Sequence, residues 1–567
     1  MTRNRSMYHV ILGTILTAAV AAPVSAQQIS EARIKELVRQ AAERVAAGQA
    51  AQAPTTAAPA GQAAASKPTL RMTLDDAVKA ALDHNLNIAV QRLNPEISDI
   101  SISSLRSVYR PALSSVLSTQ SQSNPSTTTI AGGSGAGAAI DTGLTQWNGT
   151  IGQSVPWGGG SFIATLNNNK ATTTSLNSQY NPTYNTNWAF NYTQPLLRGR
   201  GTDTNRQSIA VAKINRDISD VQLSATITNT LSNVREAYWN YVFAVQSVEV
   251  ARQSLELAEQ LVQNNQIKVQ VGTMAPLDVV QAQSQAATSR QTLVAAQATM
   301  RTSELALKTL IVGGTEDPLW NSTIDPIDRP EFLPETIDVE GAVRNALSKR
   351  TDLNIAKKNL QSNDVTIKYL HDQLLPQTDF VANYGLVGIG GDLLAKSGSG
   401  VNQVATGILA PGGYSDALTT LFRTAYPRWT LSLNFSYPLG LSSAEAVVAR
   451  ARVQQNQISA QVRQIELQVA TDVTNAAVTV QSNIERVQAA KVARSLAEQQ
   501  LDAENKKFEV GMSTNYQVVQ VQRDLATAQN NELQAILAYR NSVVELERLQ
   551  QTTLQNLGIT IVSSALK

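Results

Sequence analysis

The sequence holds one unit twice, which limits the chain to architectures built from two equivalent halves. Residues 74–88 (LDDAVKAALDHNLNI) run parallel to residues 339–355 (VEGAVRNALSKRTDLNI): Ala77-Val78 matches Ala342-Val343, Ala81-Leu82 matches Ala346-Leu347, and Leu86-Asn87-Ile88 matches Leu353-Asn354-Ile355. Further on, VGTMAPLDVVQAQ (271–283) returns as VGMSTNYQVVQVQ (510–522). Pro111 and Pro376 end the opening helices of the two copies, and Pro195 and Pro438 close a later strand. Pro376 lies 265 residues after Pro111, Pro438 lies 243 after Pro195, and Gly511 lies 239 after Gly272. The first copy therefore carries 22 extra residues before its closing strand and four more, close to one helical turn, after it.

Inside each copy the apolar period changes from strand-like to helical. RWTLSLNFSYPL (428–439) puts Trp429, Leu431, Leu433, Phe435 and Tyr437 on one face and Thr430, Ser432, Asn434 and Ser436 on the other. NWAFNYTQPL (187–196) repeats the alternation, as do Phe380, Ala382 and Tyr384 with Asp379 and Asn383 opposite. A half-buried soluble sheet and a membrane barrel both alternate in this way; aromatic strand ends with a small polar opposite face fit the barrel. Residues 121–145 and 389–426, rich in Gly, Ser, Thr, Asn and Pro, read as exposed loops. As an explanation of the extra 22 residues, Trp157-Gly158-Gly159 separates two short apolar runs (147–156 and 160–169), which predicts an added hairpin beside the two expected strands of the first copy. Its place, in the wall or over the mouth, stays open at this point.

After each closing strand comes a helical run without a breaker, 203 to about 268 and 442 to about 507. Such ~60-residue helices would be roughly 90 Å long. Val248, Leu255, Val262 and Val269 fall at spacing seven, with Ala251 and Ala258 between them, which is coiled-coil spacing with small partners. Beyond Gly272 the chain returns through Val279, Ala282, Ala286, Leu293, Ala296 and Met300 to about Ile311. Each copy thus reads as an antiparallel helical hairpin carried by a strand pair.

Composition narrows the function. Aromatics are 5% and charged residues 16%, and the balance of Ala, Gln, Asn, Ser and Thr suits closely spaced helices and polar pore walls. Residues 1–26 read as a secretory signal, with Arg3 and Arg5, an apolar run from Val10 to Ala22 and Val24-Ser25-Ala26 before the cleavage point. Residues 27–71 read as a helix and an Ala/Pro/Gln-rich tether, 72–325 as the first repeat, 326–552 as the second and 553–567 as a tail. The net charge of +2 comes from Arg3 and Arg5 alone, which argues against a nucleic-acid partner. Without cysteine there is no disulfide framework or thiolate site, and with only His9, His84 and His371 a His-based metal site or catalytic triad is implausible. The glycines of AGGSGAG (131–137) miss phosphate-loop spacing, and Asp75-Asp76 and Glu256/Glu259 are explained by a helix N-terminus and a solvated face. No enzyme, cofactor or metal centre is expected.

Signal, strand pairs, long helices, two V-G-x turns and the duplication, in this order, resemble the TolC-like outer-membrane efflux and secretion family over about residues 72–552. The most family-like stretches are TQPLLRGRGTDTNRQSIAVAKINRD (193–217), REAYWNYVFA (235–244) and VGTMAPLDVVQAQSQAA (271–287). The resemblance implies a mainly α fold with a transmembrane β-barrel part, in which three copies pool long antiparallel hairpins into an α-barrel tunnel and their strands into one antiparallel β-barrel. It implies a homotrimer in the cell outer membrane, embedded in its lipid, with a long periplasmic extension. That trimer would be the exit duct of a tripartite efflux pump or type I secretion system, working with a periplasmic adaptor and an inner-membrane pump. Physics agrees with assembly, since two strand pairs cannot close a barrel and lipid tolerates no open sheet edge.

The resemblance also assigns residues. Val271, Gly272, Thr273, Val510, Gly511, Met512 and Ser513 would form adaptor-docking tips, and Asp278, Gln517 and Gln520 the pore constriction. Gly272 and Gly511 are in any case expected to end helices in the left-handed conformation. Gln517 and Gln520 stand where the family carries aspartates, and Phe508 and Ser513 where a tyrosine and an arginine would help tie the tips shut, which implies weaker cation selectivity and a weaker latch. The alternative is a soluble or peripheral coiled-coil interaction protein of the cell envelope, which the alternating aromatic strands disfavour.

Overall fold

A computed structural model of the chain describes residues 68–126, 137–329, 332, 334, 336–398, 404–440 and 442–559. The expected signal and nearly all of the tether lie outside the described residues. The first copy opens with β1 (Thr69–Met72), α1 (Leu74–His84) and α2 (Leu86–Arg106), then runs through β2 (Ala112–Pro125), β3 (Ala139–Ser154), β4 (Ser161–Thr173) and β5 (Tyr180–Pro195). Next come the hairpin helices α3 (Thr204–Gln270) and α4 (Pro276–Ile311), and β6 (Thr323–Pro326) pairs in parallel with β1. The second copy runs α5 (Val339–Lys349), α6 (Thr351–Asp372), β7 (Gln377–Ser397), β8 (Val404–Ala410), α7 (Tyr414–Phe422), β9 (Pro427–Ser436), α8 (Ser443–Glu509) and α9 (Asn515–Gln550). β1 enters the folded body from residues read as tether. At the other end, Thr553 is fully buried and Leu554 and Leu557 pack on the first copy's core, so the tail begins as part of the body.

The helical halves match in length. α3 and α8 each have 67 residues, and α4 and α9 each have 36. The four-residue excess is therefore not a helical turn: α3 starts nine residues after Pro195 and α8 five after Pro438, so the excess lies in the strand-to-helix connection. That connection is anchored where Asp203 caps α3 by accepting from the Arg206 amide at 2.7 Å, and where Thr202 N–H donates to Asp372 at 3.0 Å. Ser442 and Glu445 form a capping box at the matching start of α8.

Each hairpin packs its own opening helices. In the first copy Ala77, Val78 and Ala81 of α1 meet Leu231, Val234, Tyr238 and Tyr241 of α3, with Leu307 and Ile311 of α4. In the second, Ala342 and Ala346 of α5 meet Val469, Val473, Ala477 and Val480 of α8, with Ala535 and Tyr539 of α9. The large tyrosines of α3 reach the small parallel sheet: the Tyr238 hydroxyl donates to Met72 O at 3.1 Å and to Asp328 Oδ2 at 2.9 Å. Burial pushes the Tyr238 and Tyr241 hydroxyls well above the usual phenol range, so both stay neutral donors. Along the lower part of α3 the buried stripe is Ala251, Ala258 and Asn265 at spacing seven, while Leu255, Val262 and Val269 are only half-buried. Small residues share the line of closest approach with the buried Val248 and Leu261, and Leu255, Val262 and Val269 flank it.

The larger sheet runs β2-β3-β4-β5-β7, and beyond β7 both β8 and β9 pair with its other edge, all antiparallel. The stretches read as loops are shorter than expected, because residues 121–125 and 139–145 belong to strands and 389–426 contains the end of β7, β8 and α7. β9 pairs with the lower half of β7 and β8 with its upper end, so α7 interrupts what is otherwise one lane of sheet.

Paired hairpin tips and a two-faced sheet

Both tips are the same piece of backbone geometry. Gly272 and Gly511 have φ of +80° and +78°, which a residue with Cβ adopts at a cost of about 1–2 kcal/mol. At the first tip Gly272 N–H donates to Val269 O at 3.0 Å and Thr273 N–H to Lys268 O at 2.9 Å. At the second, Gly511 N–H donates to Phe508 O at 3.3 Å and Met512 N–H to Lys507 O at 2.8 Å. These two bonds per tip satisfy carbonyls that a helix end otherwise leaves orphaned. Around the turns Val271, Leu277, Val510, Met512 and Tyr516 are 66–78% exposed, so apolar side chains are concentrated at the surface of both tips.

The return helices start differently. Ala275 caps α4 without a side chain, and Asp278 is the third residue of that helix. Thr514 caps α9 in a capping box with Gln517, again the third residue, so Gln517 is the repeat equivalent of Asp278. The Gln517 carbonyl oxygen also accepts from Ser513 Oγ at 3.1 Å, and Gln520 donates to Asp524 at 3.0 Å. Gln517 and Gln520 are exposed and Asp278 is half-exposed, all within two turns of the tips.

Above the tips the two hairpins are joined by contacts that sequence reading missed. Asn265 Nδ2 donates to Asn515 Oδ1 at 2.8 Å, and Asn515 Nδ2 to Asp278 O at 3.2 Å. Both asparagines are buried, at 0% and 3% exposure. Lys268 Nζ donates to Phe508 O at 3.3 Å and lies 3.8 Å from the Phe508 ring centroid; Arg523 Nε donates to Gln285 Oε1 at 2.7 Å. Phe508 itself is buried among Leu261, Ala282, Val518 and Val519 from both hairpins. These contacts join the hairpins around Phe508, where the resemblance would place a tyrosine. Asn265 could have been found, because a polar residue at the next heptad position after Ala251 and Ala258 signals a specific partner; Lys268, Gln285 and Arg523 carry no such signal.

At the opposite end the sheet has two chemically distinct faces, since directly paired residues share a side. One face carries Ile151, Phe162, Leu166, Trp188, Phe190, Tyr384, Trp429, Leu431, Leu433 and Phe435. Phe162 stacks on Phe190 at 5.9 Å and Trp188 meets Tyr384 edge-on at 6.1 Å. The other face carries Asn148, Thr150, Asn167, Asn187, Asn191, Asn383, Thr430, Ser432 and Asn434. α7 lies on the apolar face over Gly388 and Gly390, where a Cβ would overlap its backbone, and it covers Asn168 and Thr186, the former accepting from the Tyr414 hydroxyl at 3.0 Å. Among the described residues no helix is long and apolar enough to cross a membrane, and no group of His, Asp and Glu could hold a metal ion.

A chain whose sheet has one lipid-like and one water-like face, and whose long hairpins end in paired apolar tips, has the parts of a channel protomer rather than those of an enzyme. It belongs to the outer membrane efflux protein family, whose model matches residues 77–313 and 342–550. A search of curated protein sequences found no match. Among solved structures the chain is similar to the CmeC outer membrane channel of Campylobacter jejuni, at 15% identity over 86% of this chain and 88% of that one, with a TM-score of 0.58. It is also similar to the MtrE outer membrane channel of Neisseria gonorrhoeae, at 15% identity over 88% and 97% with a TM-score of 0.56. A membrane protein from Pseudomonas aeruginosa aligns at 15% identity over 88% and 97%, with a TM-score of 0.60. Family membership makes the chain an outer-membrane channel component serving efflux, and the mostly helical, duplicated fold is the one these structures share.

Proposed function

We propose that three copies of this chain form the exit duct of a tripartite export machine, the strands closing a barrel in the outer membrane and the hairpins extending through the periplasm. Val271, Gly272, Thr273, Val510, Gly511, Met512 and Ser513 dock on a periplasmic adaptor that links the duct to an inner-membrane pump. Asp278, Gln517 and Gln520 line the entrance. The observation that carries this reading is the pair of matched hairpins, 67 and 36 residues in both copies, ending in the same glycine-capped turn ringed by exposed apolar side chains. Equal lengths bring both tips to one level, which a docking ring requires. The apolar face of the sheet supports the membrane assignment, and its free edges support assembly, because backbone groups left unpaired in lipid cost several kcal/mol each.

The test is a pair of substitutions, Gly272→Val and Gly511→Val. Each forces a β-branched residue to φ near +80° at the tip, far from the sheet. Efflux and chemical cross-linking to the adaptor should fall while the amount of trimer in the outer membrane holds. If trimer and efflux fall together, the glycines serve folding and the docking assignment fails.

A further inference from the structure

We infer that the β3–β4 hairpin is a wall element, and that three copies of the chain close an eighteen-stranded barrel in which β9 of one copy pairs with β2 of the next. This rests on the proposed reading of the chain as a trimeric outer-membrane duct, and it goes beyond the duplicated unit, whose plain form supplies two strands per copy of the repeat. The hairpin is inserted within the sheet and not hung from it: β2 pairs only with β3, while β5 pairs with β4 and β7. Inserting strands two at a time preserves the antiparallel order, so the neighbours on either side keep their directions. β3 and β4 have 16 and 13 residues, more than the roughly 9–11 that a tilted strand needs to span a bilayer.

Side-chain chemistry on the hairpin continues that of its neighbours. Phe162 and Leu166 share a face with Phe190 and Trp188, while Asn148 and Asn167 share the other with Asn187. A flap over the mouth would have no need of this alternation. The turn at 155–160 also lies at the helix end of the sheet: Val155 N–H donates to Gly160 O at 2.7 Å, and Gln194, one residue before β5 ends, donates to Gly158 O at 2.7 Å. A hairpin that reverses on the periplasmic side cannot be an external cover.

The two outer edges show what completes the wall. All 14 residues of β2 are exposed, as are nine of the ten in β9. β2 has no charged residue and β9 only Arg428, although exposed edge strands ordinarily carry charges that discourage pairing. β2 runs away from the helices and β9 returns to them, so one copy's β9 meets the next copy's β2 antiparallel. The occupant of each edge is therefore a second copy of this chain. With six lanes per copy and strands about 4.8 Å apart at about 40° tilt, the closed wall would be about 36 Å across, against about 24 Å for twelve strands.

Electron cryomicroscopy of the protein extracted from outer membranes counts the strands directly. Eighteen strands with residues 139–173 in the wall is the expected result; a trimer with a twelve-stranded wall and that hairpin outside it overturns the inference and leaves the duct reading intact. Particles of a single copy, or protein absent from the outer membrane, overturn both. Because the chain has no cysteine, the seam has a second readout. Ser114 and Ser118 of β2 and Thr430, Ser432 and Asn434 of β9 are changed to Cys in β2/β9 pairs. On oxidation at least one pair should yield covalently joined copies, and none doing so while the wall shows another seam contradicts the proposed pairing.

Discussion

The two repeats agree where they are helical and differ where they are sheet. α3 and α8, and α4 and α9, are equal in length to the residue, whereas the first copy adds β3–β4 to its strand pair and the second interrupts its closing lane with α7. The contrast follows from what each part must satisfy. Hairpins that lie side by side must end together, so a change of one turn in one of them moves its tip by about 5.4 Å. A sheet accepts strands in pairs at no cost to its neighbours, and Gly388 and Gly390 show that it also accepts a helix where side chains are removed to make room.

The largest expected effect comes from breaking the equality. Deleting one heptad from α3 and the facing heptad from α4 would raise the first tip by about 10 Å relative to the second. Efflux should be abolished with trimer still in the membrane, and deleting the equivalent heptads from α8 and α9 as well should restore part of it. Full efflux from the one-sided deletion, measured as drug or dye export, would show that the tips need not be level.

The join between the hairpins comes next. Asn265→Leu leaves the buried Asn515 Oδ1 without its donor, and so should destabilise the tip region by about 1–3 kcal/mol. Asn265→Leu with Asn515→Leu should recover most of that, because the orphaned Asn515 Oδ1 is then removed as well. Hydrogen exchange at the ends of α3 and α9 reads both, and equal losses in the single and double variants would mean that the pair does not couple the hairpins.

The smallest effect concerns a position at the start of the return helices where the two tips differ in charge. Gln517→Asp keeps the capping box with Thr514 and gives the second tip the carboxylate that Asp278 gives the first. In a trimer this adds three negative charges at the entrance, and cation selectivity in planar bilayers should rise several-fold, less so at high salt. Unchanged selectivity would remove Gln517 from the constriction.

Much of this was legible before the structure. Duplication, strand alternation and glycine-ended hairpins are written in local periodicity and in the one residue type that takes positive φ cheaply, so Gly272, Gly511 and the strands around Phe190 and Phe435 could be read directly. Residues 389–426 misled because α7 buries only Ala417 and Leu421, too few apolar positions to stand out against Gly- and Ser-rich surroundings. β2 was underestimated for the same reason, its 14 residues holding only Leu113, Val116 and Leu117 as large apolar side chains. The tie between Asn265 and Asn515 spans 250 residues and exists only once both helices are folded, which no local pattern reports.

A sheet with two free edges that carry only Arg428 between them, and with an apolar face, cannot rest in lipid as a single copy. Light scattering on the protein extracted from outer membranes in detergent should give the mass of three chains, and a single-chain mass in a folded, membrane-extracted sample would contradict it.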